Sequence, residues 1–205
     1  MSDATPTRSA VLELKDERTA MQEGYDFLDE KCMLLAGEML RELARHDSLQ
    51  RAFLDSHAAA VATLRAAIGR HGLQGLEVHP SADLSEAKVQ TTSRLLMGVR
   101  LQEAELRVGD ISAAAAVNAS PEARSCVRAF GDVLTKAAAL AAVSGNLERL
   151  YFEYRRSTRR ARALQDVLLP ELEQSLAEIE ARVDELEQED ALGMRRNVKA
   201  AAPLK

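Results

Sequence analysis

An all-α fold is predicted: a long antiparallel two-helix coiled coil with a small β-hairpin-containing insert between the helices. Three observations point to it. Apolar residues recur every seven positions in long stretches towards both ends of the chain. Aromatic residues make up only 3% of the 205, and Trp is absent, so a wide globular core would lack its usual bulky fillers. Most of the ten glycines and five prolines fall between residues 69 and 145 or near the ends. Ala, Glu, Leu and Arg dominate elsewhere, the composition of long helices.

The first helix is expected over residues 8–69. Leu14, Met21, Leu28 and Leu35 form one seven-residue series, and Val11, Arg18, Tyr25, Cys32 and Met39 form another. Interleaved, they give the alternating three-and-four spacing of a coiled-coil seam. Cys32 falls in that seam and reads as packing. Thr5 is placed to cap the helix, with Pro6 in its first position. After Met39 the apolar pattern shifts phase, and Leu54, Val61 and Ile68 carry it on, with His57 and Leu64 alongside. An unbroken helix of about 60 residues would run about 90 Å. The glycines of Gly69–Gly75 are expected to stop it.

Residues 70–120 read as a connecting insert. Val89, Thr91 and Thr92 favour strand, and Val99, Leu101, Leu106 and Val108 alternate around a polar centre, so a β-hairpin is expected. Ala113–Ala116 and Asn118 form a connection. Ser120-Pro121-Glu122 then opens a second helix over 121–199, with a cap, a proline in the first position and an acid in the first turn. Its clearest seam is Leu172, Leu176, Ile179, Val183 and Leu186. Pro170 removes one backbone hydrogen bond and is expected to bend the helix without ending it. Residues 200–205 are a tail. Two helices of similar length around a compact insert return most simply as an antiparallel pair. Each buried Leu or Ile on the seam would contribute about 1.5–3 kcal/mol.

Several classes of function are disfavoured. The net charge of −5 argues against nucleic acid as the main partner. The longest apolar run, Ala137–Val143, is far short of the ~20 residues that span a bilayer. The opening MSDATPTRSAV has no signal-peptide apolar stretch, and Cys32 and Cys126 read as reduced thiols. There is no phosphate-binding GxxxxGK[ST] loop. None of His46, His57, His71 and His79 sits three residues after a Glu, as a helical di-iron site would need. No catalytic, cofactor or metal residues are therefore assigned.

The most unusual local feature is Arg155, Arg156, Arg159, Arg160 and Arg162. On a helix they cover an arc of roughly 160°. Two readings stand. They form a solvated face paired with Glu38 and Glu42 of the opposite helix, or a positive band for an acidic partner surface. Tyr151, Phe152 and Tyr154 gather three of the seven aromatic residues, as core or as a contact surface.

The opening PTRSAVLELK and the following GYDFLDEKCMLL resemble the start of the D subunit of V-type/A-type ATPases, on Pro6, Thr7, Arg8, Leu12, Leu14, Lys15, Gly24, Leu28, Lys31 and Leu35. RLLMGVRL at 94–101 looks like that family's short strand segment. LLPELEQSLAEIEARVDELEQED, with MRRNVK after it, is similar to the family's C-terminal helix on Pro170, Leu172, Ile179, Leu186, Glu189 and Lys199. Cys32 stands where the family usually has Arg, and Met194-Arg195-Arg196-Asn197 departs from the family's tail.

The resemblance implies a non-catalytic central-stalk subunit of a rotary ATPase. Such a shaft transmits torque between an ATP-hydrolysing or ATP-synthesising head ring and the membrane ion-translocating rotor. It implies three kinds of partner: the catalytic and regulatory head-ring subunits, a small companion stalk subunit and a funnel-like adaptor on the membrane rotor. It also implies a cytoplasmic place, peripheral to the membrane, in the soluble sector. Partner contact is then expected at Arg155, Arg156, Arg159, Arg160, Arg162, Tyr151, Phe152, Arg195, Arg196 and Lys199. The alternative is a generic antiparallel coiled-coil adaptor, which would need neither the PTR start nor the MGV segment.

Overall fold

The computed structural model describes residues 7–77, 87–107 and 120–200, the last five by backbone alone. Its elements run α1 (Arg8–Glu77), β1 (Lys88–Leu96), β2 (Val99–Arg107), α2 (Pro121–Ala163), a π-helical turn (Leu164–Leu168) and α3 (Leu169–Ala200). The predicted pair of long helical segments with a β-hairpin between them is present. The chain divides into two compact units, Met1–Met33 with Arg155–Lys205, and Leu34–Tyr154.

Helix ends follow the local chemistry. Thr7 caps α1, its Oγ1 accepting the Ala10 N–H at 3.2 Å and its carbonyl accepting the Val11 N–H at 3.1 Å. The expected cap, Thr5, and Pro6 lie outside the described residues. Ser120 caps α2 as predicted, accepting the Ala123 N–H at 3.1 Å, with Pro121 first in the helix and Glu122 in the first turn. The expected stop at Gly69–Gly75 is a one-residue break. Gly72 takes φ 72° and ψ 164°, and helical backbone resumes to Glu77. A residue without Cβ enters that left-handed region at little cost.

In the first unit the two helical segments are antiparallel, and their ion pairs show it. Arg8 meets Glu187 at 2.7 Å, Lys15 meets Glu180 at 2.7 Å and Arg18 meets Glu173 at 2.9 Å. Partner numbers fall as the α1 numbers rise. Val11, Leu14, Met21, Tyr25, Leu28 and Cys32 are half-buried along α1; on α3, Leu172 and Leu176 are buried and Ile179 and Val183 half-buried. Leu186, expected on the seam, is 47% exposed. Its neighbour Glu187 pairs with the first residue of α1, so little of the described chain lies opposite Leu186.

Pro170 does not end the helix. It has no N–H for the Asp166 carbonyl, and in a regular α-helix its ring would crowd that oxygen. Leu164–Leu168, just before it, instead form a π turn, with the Leu169 N–H donating to the Leu164 carbonyl. The widened spiral opens space where the ring needs it.

In the second unit the seven-residue spacing does not slip after Met39. Glu42, Leu49, Ser56 and Thr63 continue the first series; His46, Phe53, Ala60 and Ala67 continue the second. All are buried or half-buried. Apart from Leu49 and Phe53, polar and small residues occupy these positions, which conceals the continuity from any reading that follows apolar residues alone. Leu54, expected to carry the pattern, is 53% exposed, whereas Val61, Leu64 and Ile68 are half-buried. His57 is exposed and stacks on Phe53, the ring centroids 6.2 Å apart.

The strands β1 and β2 pair antiparallel from Lys88↔Arg107 to Leu96↔Val99. Met97 and Gly98 turn the chain with φ 47° and 86°. Two positive φ values define a type I′ turn, whose twist matches that of the flanking strands. RLLMGVRL is thus two strand ends around a turn, not one short strand. Met97 is an unusual occupant of the left-handed region, but its side chain packs against the apolar cluster of Leu35, Val99, Leu101 and Leu150, as do Met39, Leu96 and Tyr154. That packing offsets the backbone strain. Val108, Ala113–Ala116, Asn118 and the tail 201–205 lie outside the described residues.

Candidate functional site

Two features of the fold carry charge in an unusual way. The first is a buried polar cluster where the hairpin meets α1 and α2. Glu38 and Glu42, one helical turn apart on α1, are each 4% exposed. Arg94 of β1 lies across them: its Nη2 donates to Glu38 Oε1 and stands 3.9 Å from Glu42 Oε1. Arg41 donates to the other Glu38 oxygen at 2.8 Å. Arg45 is 4.0 Å from Glu42 and 2.8 Å from Glu103 of β2. Burial works against the charge on Glu38, but the hydrogen bonds from Arg94 and Arg41 outweigh it and hold the carboxyl below the ordinary carboxylate range.

Asn146 of α2 completes the cluster and is 1% exposed. Its Oδ1 accepts the Gln102 N–H at 2.7 Å, and its Nδ2 donates to the Gln102 carbonyl at 2.8 Å and to Glu42 Oε2 at 3.2 Å. The hairpin alternation explains why Gln102 is available. From the closing Leu96↔Val99 pair, Leu101 and Glu103 bond across to β1, while Arg100 and Gln102 turn their backbone groups outward. Asn146 therefore meets the open edge of β2 as a further strand would. Arg149 donates to Asn146 Oδ1 at 3.0 Å.

The second feature is the arginine band. Arg155, Arg156, Arg159, Arg160 and Arg162 are all exposed. Between them Ser157 and Ala161 are buried, and Thr158 Oγ1 lies 3.5 Å from Cys32 Sγ. At 100° per residue the middle of the arginine arc is roughly 160° from the Ser157–Ala161 face. The band thus points away from the packed side of its helix. The partners expected for it, Glu38 and Glu42, are taken by Arg94, Arg41, Arg45 and Asn146. The hairpin arginine reaches them from β1, outside the helix pair.

The aromatic group divides. Tyr154 packs on the apolar cluster; Tyr151 and Phe152 are 47% and 67% exposed, their rings 6.1 Å apart. Arg195 is exposed on α3, and the side chains of Arg196 and Lys199 lie outside the described residues. A surface groove of about 390 Å³ is lined by Val11, Leu12 and Val183 together with Arg8, Glu180, Asp184 and Glu187. Glu187 there is held below the ordinary carboxylate range by its hydrogen bond from Arg8. Among the described residues no group of three or more His, Cys, Asp or Glu side chains could hold a metal ion, and no helix is long and apolar enough to cross a membrane.

The sequence did not single out Arg94 or Asn146, and one of the two readings of the arginine band took Glu38 and Glu42 for its partners. One signal was present: Glu42 continues the Leu14–Met21–Leu28–Leu35 series, and an acid at a seam position asks for a partner.

Paired antiparallel helices with a hairpin clasped to them define a helical-hairpin protein with a docked β arm. The sequence model of one family, described as the D subunit of ATP synthase, matches residues 10–197. The D subunit of the A-type ATP synthase of Methanopyrus kandleri is 28% identical over 200 residues, 96% of this chain and 86% of that one. The D subunit of the V-type ATP synthase of Anaeromyxobacter dehalogenans is 31% identical over 205 residues, 96% of each chain. That of Thermotoga neapolitana is 22% identical over 192 residues, 93% of this chain and 95% of its own. The chain belongs to the D-subunit family of ATP synthases.

Proposed function

We propose that this chain is the central-stalk subunit of a rotary V-type/A-type ATPase, a non-catalytic shaft that passes torque between the head ring and the membrane ion-translocating rotor. Its membership of the D-subunit family over nearly its whole length carries the reading. The mechanics fit. A shaft must resist twisting and must present different side chains to successive positions of a ring. Helices cross-linked by the Arg8–Glu187, Lys15–Glu180 and Arg18–Glu173 pairs serve the first need. A one-sided arginine band serves the second.

In this reading the shaft sits in the soluble sector, on the cytoplasmic side and peripheral to the membrane. Its partners are the catalytic and regulatory head-ring subunits, a small companion stalk subunit and a funnel-like adaptor on the membrane rotor. Arg155, Arg156, Arg159, Arg160 and Arg162 meet acidic loops of the ring, while Tyr151, Phe152, Arg195, Arg196 and Lys199 provide further contacts. The test is size-exclusion co-elution of the purified chain with a reconstituted V-type head ring. One copy per ring, with a changed ATPase rate, is expected. A chain that elutes apart from the ring as a self-assembled species would instead be a coiled-coil adaptor.

A further inference from the structure

Among the described residues, the contacts that attach the hairpin to its unit gather near its turn. Eight of the nine β1 residues are exposed. At the turn end, Leu96, Met97, Val99 and Leu101 pack on Leu35 and Leu150, Gln102 bonds to Asn146, Glu103 meets Arg45 and Arg94 meets Glu38 and Glu42. A two-stranded hairpin is marginal by itself in water, so the order of this one depends on that attachment. The polar part of the attachment is unforgiving. Glu38 and Glu42 are each 4% exposed, and a carboxylate shut away from water is tolerated only with a partner. Arg41 serves Glu38 and Asn146 serves Glu42 from the helices, but the guanidinium of Arg94, itself half exposed, is the hairpin's one charged group that reaches both.

We propose that Arg94 is a latch: laid across Glu38 and Glu42, it holds the hairpin docked, and without it the hairpin leaves the helices and melts as one local unit while α1 and α2 stay folded. The helices keep their own backbone hydrogen bonds and their own seam, so nothing in them requires the hairpin ladder. The hairpin has no such independence. Lysine would serve poorly, because an ammonium is more strongly hydrated than a guanidinium and loses more on approaching a buried carboxylate pair. The latch lies wholly within the Leu34–Tyr154 unit and holds whether or not the chain turns inside a ring.

Three amides in the full-length chain read the latch by hydrogen exchange followed by NMR. Gln102 N–H reports docking through Asn146, Leu101 N–H reports the hairpin ladder, and Leu150 N–H reports α2. Arg94→Met is expected to lower protection at Gln102 and Leu101 about tenfold or more, and to leave Leu150 unchanged, as local opening requires. Arg94→Lys should fall between, and it keeps the test available if the methionine variant folds poorly. Adding Glu38→Gln and Glu42→Gln to Arg94→Met should restore most of the protection, since the hairpin then covers no buried carboxylate that has lost its Arg94 counter-charge. Unchanged protection at Gln102, equal losses at all three amides, or Gln102 opening with Leu101 still protected would each overturn the latch. So would a triple variant as open as Arg94→Met, which would assign the effect to lost packing of the arginine stem.

Discussion

At the scale of single residues, the chain places ordinary side chains where their neighbours change what they do. Glu38 would be a solvated helix carboxylate in isolation. Burial penalises its charge, and the bonds from Arg94 and Arg41 more than compensate, so it titrates below its ordinary value. A carboxyl depressed in the folded state contributes stability above its unfolded pKa, and that contribution is lost as pH falls through the folded value. Wild-type protein should therefore lose stability as pH drops below about 4.3, the ordinary glutamate value. Glu38→Gln should be less stable near neutrality and should lose less on acidification. Urea midpoints of both proteins across that range check it. Parallel curves would mean that Glu38 is not the titrating group.

Gly37 offers a change in the opposite direction. It lies inside α1, and an added Cβ would meet nothing within 4 Å. Gly37→Ala should raise stability by about 0.5–1 kcal/mol, because glycine is the more costly residue to order in a helix. A lower melting temperature would show that the Gly37 face needs closer packing than the free space allows.

At the scale of elements, the seams set which helix faces matter. Leu176 on α3 is buried, whereas Leu186, ten residues on and in the same apparent pattern, is half exposed. Leu176→Ala should cost about 2–5 kcal/mol, as large-to-small changes in a packed site do. Leu186→Ala should stay within about 0.5 kcal/mol, as surface changes do. Thermal melts of the two variants decide it, and equal losses would mean the seam extends to the end of α3. The π turn before Pro170 belongs to the same scale. Proline's effect here is to widen one turn, and the helix continues on both sides of it.

At the scale of the whole molecule, the net charge of −5 coexists with a compact positive band. Arg156, Arg159 and Arg160 are exposed on α2, so changing them should leave the fold alone. Replacing all three with Glu should lower coupled ATPase activity several-fold in the reassembled enzyme, with an unchanged melting temperature for the isolated chain. In the wild type, raised salt should weaken the same coupling, since exposed charge contacts are screened. Full activity of the charge-reversed enzyme would return these arginines to solvated surface.

The helices, the hairpin and both seams near the chain ends were legible in the sequence, because each is written in local periodicity: seven-residue spacing for the coils, alternation for the strands, and Ser120-Pro121-Glu122 for a helix start. So was the family, through short segments placed in order along the chain. The turn at Met97-Gly98 was harder, because methionine is not a residue that announces positive φ and only its packing on the apolar cluster makes the strain tolerable. The continuing seam after Met39 was concealed, because Glu42, Ser56, Ala60 and Thr63 occupy it. What tertiary structure alone decided was the polar cluster. Glu38, Glu42, Arg94 and Asn146 come from three elements far apart in the chain, and no spacing rule relates them. The sequence by itself determined which segments are helix and which are strand; only folding in space determined which charges are buried, because burial depends on what lies opposite.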